Sequence, residues 1–230
     1  MILKDCRSAT FIKRYKRFLV DVQKSDGTLL TVHCPNTGSM RGCLSPGSRV
    51  MISRAANPKR KYPYGLEMIE VDGSWVGINT MRTNHLVREA LEAGVVAELG
   101  RVDEIRAEVK VSAGSRLDFL VVKDCRNIYL EVKNCTLVEE GVAMFPDAVT
   151  SRGARHLEEL VQLVARGHRA MIFFCVQRQD GRCFAPADHI DRRYGDTLRR
   201  VAARGVEVVA YEARVTPAEI VVQTPLPVKL

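Results

Sequence analysis

Asp118, Glu131 and Lys133 have the side-chain chemistry of a hard-cation site, at a spacing that two neighbouring strands can bring together. Glu131 and Lys133 stand two residues apart in Leu130-Glu131-Val132-Lys133, and Asp118 sits in Leu117-Asp118-Phe119. Side chains alternate along an extended chain, so Glu131 and Lys133 share one face and Val132 takes the other. Leu117–Val122 and Ile128–Val132 read as strands, and Asp124–Asn127 between them is short enough for a hairpin. A suitable register then sets Asp118 beside Glu131. Two carboxylates, completed by water and phosphate oxygens, suit Mg²⁺ or Mn²⁺. Such an ion stabilises charge on a phosphate and lowers the pKa of a bound water. Lys133 would either orient that water or neutralise charge in the transition state. The bland alternative is a pair of strand-end carboxylates with a salt-bridged lysine.

The surrounding elements must position these groups. Asn84 can cap a helix running to about Glu92, with Gly94 near its end. Glu89 flanks the stripe Leu86, Ala90 and Ala93 on that helix, which makes it a candidate third acid. Ile105–Val111 reads as a further strand before the pair. A second helix spans about Arg152–Arg166, with Leu157, Leu160, Val161 and Val164 at i, i+3, i+4, i+7 spacing. Arg152 and His156 precede its stripe, and His156 is directed to the carboxylates, is directed to a phosphate, or is a satisfied surface histidine. A helix start near Ser151 favours an anion in any case. Asp147, after Pro146, is either a nearby acid or a turn residue. Ala170–Val176 is a continuous apolar run, as in a central buried strand. A helix near Gly195–Arg204 and a strand Val206–Tyr211 follow. The order α-β-β-β-α-β-α-β predicts a mixed sheet with helices on its faces. The Asp…Glu-x-Lys pattern in this order of elements resembles the PD-(D/E)xK, restriction-endonuclease-like nucleases.

Residues 1–82 are built differently. Phe18–Val22 and Leu29–Val32 flank the turn Lys24–Gly27 as a hairpin, and Arg49–Ser53 and Leu66–Val71 alternate as half-buried strands. Four or five short strands in about eighty residues fit a small barrel, with the OB-fold as the leading candidate. Two runs interleave cations with rings: Lys13, Arg14, Tyr15, Lys16 and Arg17, then Lys59, Arg60 and Lys61 beside Tyr62 and Tyr64. Cations serve phosphates and rings stack on bases; the same residues would also make an ordinary solvated face. Residues 1–82 hold 14 lysines and arginines against six acids, whereas 83–230 hold 21 of each, so the whole net charge of +8 lies in the first module. That division predicts an OB-fold nucleic-acid-binding domain over 1–82 and a nuclease-like domain over 83–230.

Composition excludes several classes. With 46% hydrophobic residues the chain supports a real core. No apolar run approaches the ~18 residues of a membrane helix, and Met1–Lys16 lacks a signal-peptide apolar region, so a cytoplasmic protein without membrane association is expected. Seven cysteines without a Cys-x-x-Cys pair argue against a disulfide framework or thiolate zinc site.

Six stretches carry a more specific likeness: Ile12–Val22, His33–Met40, Lys59–Pro63, Ile128–Leu137, Phe145–Leu160 and Leu226–Leu230. On these the chain resembles the sugar fermentation stimulation protein A family. The resemblance implies an N-terminal OB-fold, a C-terminal PD-(D/E)xK domain with its acidic site on Asp118, Glu131 and Lys133, DNA binding, and regulation of bacterial sugar-utilisation genes. Asn134 departs from the small residue, usually Ser, expected after the lysine. Two functions remain in view: a Mg²⁺-dependent DNA phosphodiesterase, or a non-catalytic DNA-binding transcriptional regulator. No helix-turn-helix is visible to support ordinary major-groove reading. The DNA is either single- or double-stranded, and nothing in the sequence excludes or requires a homodimer.

Overall fold

The computed structural model describes residues 1–112 and 115–230. Its N-terminal part contains β1 (Cys6–Tyr15), β2 (Leu19–Gln23), β3 (Leu29–His33), β4 (Arg49–Arg54), β5 (Tyr64–Val71) and β6 (Ser74–Gly77). The strands hydrogen-bond in the order β3-β2-β1-β4-β5-β6, and His33 of β3 also meets Gly65 of β5. That contact closes the first five into an OB-type barrel around Phe11, Val20, Val22, Val32, Ile52 and Leu66. β2 and β3 form the expected hairpin, while β1 and β6 add to the expected set. Met1–Leu3 joins the other half of the molecule: Ile2 bridges Glu219, and Leu3 N–H donates to the Ala218 carbonyl at 2.8 Å.

The remainder contains α1 (Thr83–Glu92), β7 (Glu104–Ser112), β8 (Ser115–Lys123), β9 (Arg126–Cys135), β10 (Leu137–Glu139), β11 (Val142–Phe145), α2 (Ser151–Ala165), β12 (Arg169–Val176), β13 (Cys183–Pro186), α3 (Asp188–Ala202), β14 (Glu207–Val215) and β15 (Ile220–Leu226). The main sheet runs β15-β14-β12-β9-β8-β7. Its centre, β9-β12-β14, is parallel and its flanks are antiparallel. β12 is buried on both faces from Ala170 to Val176, as its unbroken apolar run requires. Burying one such side chain contributes about 1.5–3 kcal/mol. α1 packs with Val121, Leu130 and Phe173 on one face, and α2 and α3 pack with Ile172 and Phe174 on the other. β10, β11 and β13 form a separate three-stranded sheet that was not expected.

Two helix starts differ from expectation. Asn84 lies inside α1 and does not cap it; Asn79, before a short 3₁₀ turn, accepts Met81 N–H instead. The third helix begins at Asp188, seven residues earlier than expected. Asp191 interrupts it with φ −143°, and its carboxylate accepts Tyr194 N–H at 3.0 Å, so Asp191 caps the half that begins at Arg192.

The barrel and the α/β domain share a core, since Met51 and Met68 pack with Leu86 and Leu91. Gly77 N–H donates to the Gln177 carbonyl at 2.8 Å, and a Cβ at Gly77 would lie 2.3 Å from Gln177 Oε1, so only glycine permits this approach. Asp147 joins the domains too. Its carbonyl accepts Ser39 Oγ at 2.6 Å and its carboxylate accepts Met40 N–H at 2.9 Å. Among the described residues no helix is long and apolar enough to cross a membrane. All seven cysteines are free, and five are buried.

Candidate active site

The β8–β9 ladder pairs Phe119 with Leu130 and stops there. Beyond it, the Val132 N–H donates to the Asp118 carboxylate at 2.7 Å, so a side chain replaces the next backbone bond. The neighbouring β7 is also irregular at this point. It pairs Ala107 with Phe119 and Val109 with Leu117 but skips Glu108 and Asp118, and Glu108 has φ +52°. A break of this kind turns a strand residue out of its regular direction. The second Asp118 oxygen accepts Asn84 Nδ2 at 2.8 Å from the first turn of α1. Asp118 is thereby held from two sides and remains half-buried.

Glu131, on the central part of β9, is 3% exposed. Its Oε1 accepts hydrogen bonds from Lys133 Nζ and from His156 Nδ1 on α2. Arg152 Nε donates to His156 Nε2 at 3.4 Å, which assigns the imidazole proton to Nδ1. Glu131 Oε2 is buried and has no hydrogen-bond partner. Nearby, the Tyr194 hydroxyl is also buried without a partner, and burial together with the Glu131 charge holds it well above the ordinary tyrosine range.

The electrostatics separate the two carboxylates. Burial pushes Asp118 up, the Glu131 charge adds to this, and the bonds from Val132 N–H and Asn84 only partly oppose them. Burial also pushes Glu131 up, but His156 and Lys133 outweigh it and leave Glu131 below its usual value. Glu131 is the ionised member, and Asp118 the one that takes a proton first. A dication would satisfy Glu131 Oε2 and relieve the repulsion that raises Asp118, so these residues fit a divalent metal. Among the described residues no cluster of three or more His, Cys, Asp or Glu offers a full protein cage. Two carboxylates with the remaining positions left to water and phosphate oxygens match Mg²⁺-type coordination.

The structure thus brings Asp118, Glu131 and Lys133 together, with Glu131 and Lys133 on the α2 side of the sheet and Val132 on the α1 side. It does not bring Glu89 to them. α1 buries Thr83, Val87 and Leu91 as well as Leu86 and Ala90, which rotates its inner face away from Glu89. Glu89 instead pairs with the Met1 ammonium at 2.7 Å, and Asn84 is the α1 residue that reaches Asp118. His156, expected among the nucleic-acid contacts, is buried against Glu131, and exposed Arg152 donates its Nε–H to that imidazole. Asn134 accepts hydrogen bonds from Thr83 Oγ1 and Gln177 Nε2, so its replacement of a small residue ties α1 to β12 without touching the carboxylates.

The basic residues of the barrel divide into two kinds. Arg14 is structural: its guanidinium donates to the carbonyls of Arg17, Asn36, Gly38 and Ser39 at 2.8–3.1 Å and shapes the loop after β3. Tyr15 is half-buried and its hydroxyl donates to Asp21 at 3.0 Å; Lys13 lies 3.8 Å from the same carboxylate. Lys16 and Arg17 form the exposed β1–β2 turn, both with positive φ. Lys59, Arg60 and Lys61 are exposed in the β4–β5 loop. Both loops lie at one end of the barrel, because the end of β3 contacts Phe18 through Cys34 and Gly65 through His33. Asn84, Tyr194 and the Asp147 contact are the residues that sequence reasoning gave no role or another role. Only Asp147 carried a signal, as an acid directly before the second helix.

Comparison with known proteins agrees with this architecture. Residues 12–78 match the model of the N-terminal OB domain of the sugar fermentation stimulation protein, and residues 81–219 match that of its RE domain. The chain is similar to the sugar fermentation stimulation protein homolog of Pelobacter propionicus, at 54% identity over 223 residues covering 97% of each chain. The homolog of Citrifermentans bemidjiense is 52% identical over 221 residues, 96% of each chain. A solved structure of SfsA from Pyrococcus furiosus, in complex with Ca²⁺, superposes with a TM-score of 0.90 at 27% identity, covering 100% of this chain and 98% of that one. The chain belongs to the sugar fermentation stimulation protein family.

Proposed function

We propose that this protein is a metal-dependent phosphodiesterase acting on DNA, with Mg²⁺ or Mn²⁺ held by Asp118 and Glu131. One observation carries the reading: an ionised, buried Glu131 with an unpartnered oxygen stands beside a half-buried Asp118 whose pKa is raised. The Ca²⁺ bound by the Pyrococcus furiosus relative supports a hard dication. When bound, the ion polarises a phosphate and lowers the pKa of its water. The protein's own groups do the rest. Asn84 and the Val132 N–H fix the Asp118 carboxylate. His156 and Lys133 keep Glu131 ionised and oriented, as partners behind a metal ligand commonly do. Lys133 also supplies a cation for charge that grows on the phosphate in the transition state. The exposed cations of the barrel loops provide the polyanion grip.

A second reading, a DNA-binding regulator without catalysis, is favoured by the internal satisfaction of Glu131 Oε1 by Lys133 and His156. Incubation of labelled DNA with Mg²⁺, Mn²⁺ or EDTA separates the two. Metal-dependent cutting that disappears in Glu131→Gln supports the phosphodiesterase. Binding without cutting in every metal leaves the regulator.

A further inference from the structure

A groove runs between the barrel and the α/β domain. One lobe, about 440 Å³, has Arg14, Arg17 and the loop Thr37–Ser39 on the barrel side and residues 145–150 on the other. A second lobe, about 210 Å³, shares Thr37, Gly38, Phe145 and Asp147 with the first and continues to Asn134, the chain neighbour of Lys133. The groove therefore leads from the barrel loops to the Asn134 end of β9, the strand that carries Glu131 and Lys133. Asp147 ties its walls together, through Ser39 Oγ and Met40 N–H.

Its lining alternates in character. Arg17 is exposed at the turn between β1 and β2, and no carboxylate pairs with it among the described residues. Arg14 covers three carbonyls of the 36–39 loop, which removes acceptor dipoles from that wall and leaves it cationic. Val149 lines the groove at 77% exposure, and Phe18, 45% exposed, follows the groove residue Arg17 in the chain. Cations beside exposed rings and apolar surface are what a single strand's phosphates and unstacked bases require. A duplex presents its phosphates on a convex surface, whereas Glu131 is recessed, a contrast that favours a single extended backbone.

We propose that the groove binds a single strand of DNA, with a phosphate on Arg17 and bases against Phe18 and Val149, and leads it to the carboxylate pair. This rests on the phosphodiesterase reading for the strand's destination, but binding can be tested apart from it, with metal chelated. The probes are a short labelled oligothymidylate and a blunt duplex of equal length, measured by fluorescence anisotropy in EDTA. The wild type should bind the single strand about tenfold more tightly than the duplex. Ala148→Trp, which fills the groove at an exposed position, should weaken single-strand binding about tenfold. Arg17→Ala should lower the slope of log K against log salt by roughly 0.7, the value for one phosphate contact on a single strand. Arg17 is a surface residue, so its variant remains informative if Ala148→Trp fails to fold. Equal affinity for the duplex, or unchanged single-strand binding and salt slope in the folded variants, would overturn the proposal. Failure to cut DNA with metal present would count against the phosphodiesterase alone.

Discussion

The barrel loops and the carboxylate pocket both concentrate charge, but they use it in opposite ways. Lys16, Arg17, Lys59, Arg60 and Lys61 stand exposed on one end of the barrel. In the pocket, half-buried Lys133 and buried His156 both bond to buried Glu131, and Asn84 and the Val132 N–H hold Asp118. Exposed cations are cheap to place and available to a polyanion partner. The pocket donors Lys133 and His156 are committed to keeping a single carboxylate ionised. The comparison teaches that net charge marks the candidate gripping surface, while the candidate chemistry lies in the module whose net charge is zero.

The comparison breaks most visibly at Glu131. Glu131→Ala leaves Lys133 and His156 buried without their shared acceptor and should cost about 3–5 kcal/mol in urea denaturation. A loss under about 1 kcal/mol would show that the pocket charges do not depend on one another. Asp147→Ala removes the carboxylate that accepts Met40 N–H, while the Ser39 bond to the main-chain carbonyl remains. Loss of its charged hydrogen bond should cost about 1.5–3 kcal/mol, and unchanged stability would mean that the interface holds without it.

The pH dependence distinguishes the two carboxylates. Asp118 has a higher pKa folded than unfolded, so its contribution to metal-free stability falls as pH rises from the ordinary aspartate value through its raised one. Glu131 has a lower pKa folded, so its contribution is present above the ordinary glutamate value and lost as pH falls through its lowered one. Asp118→Asn should therefore gain stability on the wild type as pH rises across the Asp118 window in urea titrations at a series of pH values. An identical pH profile in both proteins would contradict the assignment. The smallest stability effect belongs to the barrel: replacing Lys59, Arg60 or Lys61 singly by Ala should change stability by less than about 0.5 kcal/mol. Together the three replacements should flatten the salt dependence of DNA binding.

Much of this was legible in the chain because it rests on local rules. Two-residue alternation placed Glu131 and Lys133 on one face, and the stripe Leu157, Leu160 and Val161 gave α2 its inner side. What escaped depends on distant partners. β1 buries only Ala9 and Phe11 fully, and its charged neighbours obscure the alternation. β10, β11 and β13 have three or four residues each, too few for a period. Asp191 caps a helix half from within one continuous element. Glu89 was misplaced because Ala93 drew the α1 stripe to one side, whereas Val87 and Leu91 carry the actual core contact. Asn84 had the residue type of a cap and acts instead through Asp118, 34 positions away.

The central claim is that Asp118 and Glu131 together hold a divalent ion. Titration of the metal-free protein with Mn²⁺, followed by the loss of the free-ion electron paramagnetic resonance signal, tests it directly. One ion should bind the wild type, and Glu131→Gln should weaken that binding by more than about tenfold, since changes to partners behind a ligand already cost about 10–100-fold. Equal binding by both proteins, or no binding by the folded wild type, would contradict the account.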